Sequence, residues 1–171
     1  MVAVVECREN RMVALAQLVF AASLLGAAAF DLGWRRIPDV LSAGIVAAFA
    51  VAALSQVIGA GALTWHVAAG VLVFAGGAAL FFAGVIGGGD VKLMAAAALW
   101  IGWQDLPRFL VLVALLGGVL GVIVLAARRI LRNGTAPWLR RAIDNEEGLP
   151  YAVAIAGAAL LVGLPAPLTQ V

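Results

Sequence analysis

Six long apolar runs, separated by short polar links, decide what this chain can fold into: residues 12–30, 40–63, 67–86, 91–103, 109–127 and 151–168. Crossing a hydrocarbon core of about 30 Å takes roughly 20 helical residues, and most of these runs approach or exceed that length. In lipid a backbone N–H or C=O finds no water, so an isolated spanning segment must satisfy its polar groups internally as a helix. The expected fold is therefore all-α, a polytopic membrane protein with six transmembrane helices of which the fourth is short. Composition agrees: 65% of residues are hydrophobic and 12% charged, against about half and a quarter in soluble domains. Ala27-Ala28-Ala29 resembles a signal-peptide cleavage site, but the run before it exceeds an h-region of about 7 to 15 residues. It is read as a spanning helix. No polar stretch is long enough to divide the chain, so residues 1–171 are read as a single membrane domain.

Charge distribution orients the segments. One set of loops, after segments one, three and five, holds Arg35, Arg36, Lys92, Arg128, Arg129, Arg132, Arg140 and Arg141; the other side holds only Arg8, Arg11 and Arg108. The positive-inside rule then puts the first set in the cytoplasm and both termini outside. Trp34 and Tyr151 fall near the inner boundary on this reading, and Trp65, Trp100 and Trp103 near the outer one. The largest polar link, 128–150, is read as a solvated, orienting loop in preference to a grip on anionic lipid. Small residues, among them the Gly117/Gly121 pair and the alanines at 95–98, read as helix-packing surfaces.

Cys7 is the single cysteine and His66 the single histidine, which leaves neither a disulfide framework nor a Cys/His zinc site. No metal, cofactor or nucleic-acid partner is expected. The chemistry-bearing residues are carboxylates. Asp90 follows Gly87-Gly88-Gly89 directly after an apolar run, and an ionisable group near bilayer depth is costly enough to mark a functional site. Asp31 closes the first run on the same side. Helices carrying Asp31 and Asp90 could pack side by side, and two carboxylates a few ångströms apart cannot easily both ionise, so one proton is held between them. Such a pair can activate water with its ionised member and donate a proton with the other, as in aspartic proteases. The short fourth segment, about 20 Å as a helix, would draw Asp90 below the membrane surface if Asp105 and Arg108 hold its far end.

Other residues have structural readings. Asp31 could cap the end of segment one, Asp39 after Ile37-Pro38 is read chiefly as an N-cap with a supporting role in the site as the alternative, and Asp105 as the start of a helix. Lys92 could balance the pair's charge or snorkel to the interface. The competing function is a small proton- or ion-coupled transporter, which would spread carboxylates along a route near the midplane; here both key aspartates sit at one edge.

Asp31-Leu-Gly-Trp-Arg-Arg-Ile37-Pro38-Asp39, Gly87-Gly88-Gly89-Asp90-Val-Lys92-Leu and Leu149-Pro150-Tyr151-Ala-Val-Ala-Ile together resemble the blocks of type IV prepilin peptidases, membrane aspartic proteases of the G-x-G-D kind. The likeness is greatest to the short forms associated with tight-adherence (Flp) pilus assembly. The resemblance implies an endopeptidase in the bacterial inner membrane that cuts a prepilin's leader peptide on the cytoplasmic side. Asp31 and Asp90 would be its catalytic aspartates, and Gly87, Gly88 and Gly89 a loop beside the scissile bond. Longer members carry paired Cys-x-x-Cys motifs and also methylate the new N-terminus; with one cysteine, N-methyltransferase activity is not expected here. Ala152 stands where many members have glycine. A non-catalytic assembly component is disfavoured by the intact aspartate pair.

Overall fold

A computed structural model describes residues 2–54, 58–131 and 149–164. Among these residues there are six helices and no strand: α1 (Val2–Trp34), α2 (Asp39–Leu54), α3 (Ala60–Phe82), α4 (Gly88–Ile101), α5 (Leu106–Leu131) and α6 (Tyr151–Gly163). The fold is all-helical, as the apolar runs require. Most of the polar link 128–150 and the end of the sixth run lie outside the described residues.

By length and composition three stretches can cross a membrane: Arg11–Trp34, Gly61–Phe82 and Leu106–Ala127. The expectation of six spans holds only in part, since α2, α4 and α6 have 16, 14 and 13 residues, fewer than the roughly 20 of a straight crossing. Several boundaries also shift. The second run was expected to continue to residue 63, but α2 ends at Leu54 and Gly59 is the N-cap of α3. Thr64-Trp65-His66, placed between runs, lies inside α3. Hydropathy falls there without the helix ending, because His66 Nδ1 is satisfied by the Leu99 carbonyl oxygen at 2.9 Å. Ala27, Ala28 and Ala29 sit within an unbroken α1.

Helix α4 is the hub. It packs against α2, α3, α5 and α6, while α1 packs on α2 and α6, and α5 on α6. Its alanines 95–98 are all buried, with Ala97 and Ala98 fully enclosed. Small residues let the neighbours come close: a Cβ on Gly77 of α3 would stand 2.9 Å from Val91 Cγ1, the kind of backbone approach that replaces a hydrophobic driving force in lipid. Trp100, expected near the outer interface, is instead buried and stacked on Phe20 of α1 with ring centroids 4.6 Å apart. That stacking contributes about 0.5–1.5 kcal/mol beyond burial. Trp65 and Trp103 do pair at that end of the bundle, 5.7 Å apart and exposed. Leu18, Leu25, Val71, Leu115 and Val122 point outward, as apolar faces do against lipid.

Candidate active site

Three helix ends meet at the opposite end of the bundle. Asp31 lies in the last turn of α1, where its carbonyl accepts the Arg35 N–H at 3.1 Å. Arg35 then takes φ 54°, the left-handed conformation that stops a helix and turns the chain. Ile37 and Pro38 follow, and α2 begins.

The turn into α4 is built by glycine. The Val85 N–H donates to the Leu80 carbonyl and the Gly84 N–H to that of Phe81, both at 2.9 Å. With Gly84 at φ 73° this is a Schellman motif, which satisfies the last carbonyls of α3. Gly87 is the N-cap of α4, while Gly88 and Gly89 belong to its first turn. The expected three-glycine loop is thus corrected to a loop at 83–87 followed by helix. The first-turn position of Asp90 lets its carboxylate accept the Gly87 N–H, the reach-back half of a capping box. A Cβ on Gly87 would stand 3.1 Å from Asp90 Oδ2, and one on Gly89 3.2 Å from Ile37 Cβ. Glycine therefore admits the carboxylate at one position and the α1–α2 link at the other.

The third helix end is α6. Its first N–H groups have no carbonyl a turn back, and the Ala152 N–H donates across 121 residues to Asp31 Oδ2 at 3.0 Å. Asp31 is 7% exposed and Ala152 fully buried, so this bond locks the end of α1 to the start of α6. The residue standing where glycine is common contributes its backbone donor. Tyr151 lies against Gly117 of α5, where a Cβ would meet its ring at 3.0 Å; the small-residue pair expected as scaffold seats a residue of the site.

Asp31 and Asp90 line one cleft of about 490 Å³ with Trp34, Arg35 and Arg36 from α1 and its link, Val85, Ile86 and Gly87 from the turn, and Leu149 and Tyr151 from the start of α6. The two carboxylates are close enough to interact electrostatically. Asp90 Oδ1 is buried and, among the described residues, receives no hydrogen bond. Asp39 and Lys92 stand outside this cleft. The Lys92 ammonium donates to both oxygens of Asp39 at 2.8 Å, and the side chains are 50% and 73% exposed respectively. The N-cap reading of Asp39 gives way, since the residue is the first of α2 and its carboxylate is engaged by Lys92. Asp105 directly precedes α5, its carbonyl accepting the Phe109 N–H at 2.9 Å.

Residues 18–122, which carry both aspartates, match the sequence profile of the Type IV leader peptidase family. The chain belongs to that family. Type IV leader peptidase membership and the apolar helices together make it a membrane protein. Among curated relatives, it is 49% identical over 57 residues to the prepilin leader peptidase/N-methyltransferase of Escherichia coli K12, covering 32% of this chain and 25% of that protein. It is 36% identical over 78 residues to the protein of that name from Burkholderia pseudomallei 1026b, covering 44% and 21%. A third, from Pectobacterium carotovorum, is 47% identical over 60 residues, covering 32% and 20%. The similarity thus spans a quarter or less of these type IV leader peptidases. No solved structure gives a significant match.

Sequence reasoning singled out the two aspartates that line this cleft but not the rest of its lining. Arg35 and Arg36 were taken only as orienting charges, although they line it, and Tyr151 as an interfacial aromatic. The signal for Tyr151 was the proline-aromatic step before an apolar run; for the Ala152 N–H there was none.

Proposed function

We propose that this protein is an aspartic endopeptidase that cuts the leader from prepilins at the cytoplasmic face of the bacterial inner membrane, with Asp31 and Asp90 as its catalytic pair. The observation that carries the reading is the shared cleft: two carboxylates on helices distant in sequence, in electrostatic reach of one another, with buried Asp90 Oδ1 accepting no hydrogen bond from the described residues. In the reaction the ionised member takes a proton from water as its oxygen attacks the scissile carbonyl. The protonated member supplies a proton to the carbonyl oxygen. As the C–N bond breaks, a carboxyl group protonates the departing amine. Arg35 and Arg36 at the cleft fit the excess of positive charge on the side assigned to the cytoplasm. Tight-adherence (Flp) prepilins are the proposed substrates, on the resemblance of the three sequence blocks to the short forms. Methyl transfer is left out of the proposal, because a paired-cysteine motif cannot be built from Cys7 alone.

Co-expression with a prepilin tests the reading, with leader-bearing and processed forms resolved by gel mobility. Asp31→Asn and Asp90→Asn should each abolish processing while the protein still accumulates in the membrane, and Asp105→Asn should process normally. Continued cleavage by either of the first two variants removes that residue from the mechanism.

A further inference from the structure

A second cavity, of about 470 Å³, lies between α2 and α3 with α4 as its floor. The two helices meet at Phe49 and His66, whose rings are 5.5 Å apart, and leave a groove open toward the start of α2. Its lining runs from Asp39 to Val46 on α2, from Val67 to Phe74 on α3 and from Lys92 to Leu99 on α4. Each stretch is eight residues from end to end, so the groove is about 10 Å long and parallel to the helices. The α4 floor is small (Ala95 and Ala96), as is Gly70 on the α3 wall, and the rims are apolar and exposed, with Val71 at 61% and Phe74 at 51%.

Two polar features sit at the open end. The Asp39–Lys92 ion pair is largely exposed and presents both signs of charge at the mouth. Three residues deeper on α2, about 4.5 Å along the axis, Ser42 is buried and its Oγ has no hydrogen-bond partner among the described residues. Buried hydroxyls are nearly always satisfied, so one left over at a cavity calls for a ligand acceptor or donor. A trough about 10 Å long and lined by small residues, with both charges at its mouth, fits a single hydrocarbon chain below a polar head group.

We propose that the groove holds an acyl chain of a zwitterionic glycerophospholipid, with the head-group phosphate on Lys92, the ammonium on Asp39 and an ester carbonyl accepting the Ser42 hydroxyl. The order of groups along the groove (both charges, then a hydrogen-bond donor, then an apolar trough) matches the order along such a lipid. An anionic head group without an ammonium leaves Lys92 shared between its phosphate and the Asp39 carboxylate, with one negative charge in excess. This assignment is independent of the reaction in the neighbouring cleft.

Tryptophan quenching by brominated acyl chains reads the site. Phe74→Trp, with Leu115→Trp on the outward face of α5 as a control, is reconstituted in vesicles containing equal phosphatidylethanolamine and phosphatidylglycerol, the bromine being on one or the other. Quenching of the added tryptophan at 74 should favour brominated phosphatidylethanolamine about fivefold, the size of one charge contact at a membrane surface, and position 115 should show no preference. Asp39→Lys in the Phe74→Trp background should turn the preference toward phosphatidylglycerol, and Ser42→Ala, which removes a contact with an ester that both lipids carry, should lower quenching by both and leave the preference unchanged. Val71→Trp replaces Phe74→Trp if the latter does not fold. Equal quenching by both lipids at the groove means ordinary surrounding lipid and overturns the proposal. Absence of quenching by either means that protein fills the groove, and overturns it as well.

Discussion

Asp31→Asn and Asp31→Ala should separate what Asp31 does for the fold from what it does in the proposed reaction. In the native protein Oδ2 accepts the Ala152 N–H at 3.0 Å in an interior where the aspartate is 7% exposed. Asparagine keeps an oxygen acceptor at that place, so the N–H remains partnered. What it loses is charge assistance, and this is offset by relief from burying a carboxylate. Alanine leaves the N–H buried without an acceptor, because a first-turn donor has no carbonyl of its own helix to turn to. That omission costs about 1–3 kcal/mol. The alanine variant should therefore be less stable than the asparagine variant by about that amount, while both lose at least about 100-fold in cleavage, the lower end of a general acid–base contribution. Unfolding in detergent titrated with a denaturing detergent, followed by tryptophan fluorescence, gives the first quantity; prepilin processing gives the second. Equal stability of the two variants would refute the role of the Asp31–Ala152 bond in holding α6. Native-like processing by either would refute the catalytic role.

Gly89→Val should impair processing, because its Cβ would stand 3.2 Å from Ile37 Cβ, and Ile37→Ala should restore part of the loss; a double variant no better than Gly89→Val argues against that contact. Gly84→Ala should destabilise the protein by about 1–2 kcal/mol, the cost of a side chain in the left-handed region that Gly84 occupies at φ 73°. An unchanged unfolding midpoint would mean that the turn into α4 relaxes freely. Lys92→Met should cost less than about 1 kcal/mol, since the pair with Asp39 is exposed and such pairs contribute little; a larger loss would assign Lys92 a structural role that its exposure does not explain.

Hydropathy made the helical class and the outward faces legible, because lipid selects side chains along a whole segment. It located helix ends poorly. α3 starts at Ala60 and runs through Thr64-Trp65-His66, since a helix continues past polar side chains that find partners, as His66 does on Leu99. Gly88 and Gly89 were read as loop because glycine permits loops, yet here glycine serves close approach within a helix. Asp31 and Asp90 stood out because a carboxylate at the edge of an apolar run is costly and therefore rare. Their surroundings were hidden for a different reason. The donor on Asp31 is a backbone N–H 121 residues away, and a backbone group leaves no mark in composition. The Asp39–Lys92 pair joins helices 53 residues apart, so each residue alone read as a cap or a snorkelling cation.

For Asp31 and Asp90 the capping and catalytic readings are compatible, because a carboxylate has two oxygens. Asp31 accepts the first-turn N–H of Ala152 in α6, and Asp90 accepts that of Gly87 at the start of α4. An N-terminal N–H left unpaired in an apolar setting is expensive, so satisfying two helix starts fixes where the carboxylates must lie. The Asp31–Ala152 bond draws the end of α1 to the start of α6, the Asp90–Gly87 contact orders the start of α4 locally, and the cleft lies among these three helix ends. Each carboxylate is thus oriented by the backbone it caps before any substrate arrives. The remaining capacity is available for chemistry, most plainly at Asp90 Oδ1, which no described donor reaches. On this account the rigidity needed for catalysis comes from helix capping, and variants that shift a helix start, such as Gly89→Val, should lower the rate without altering either aspartate.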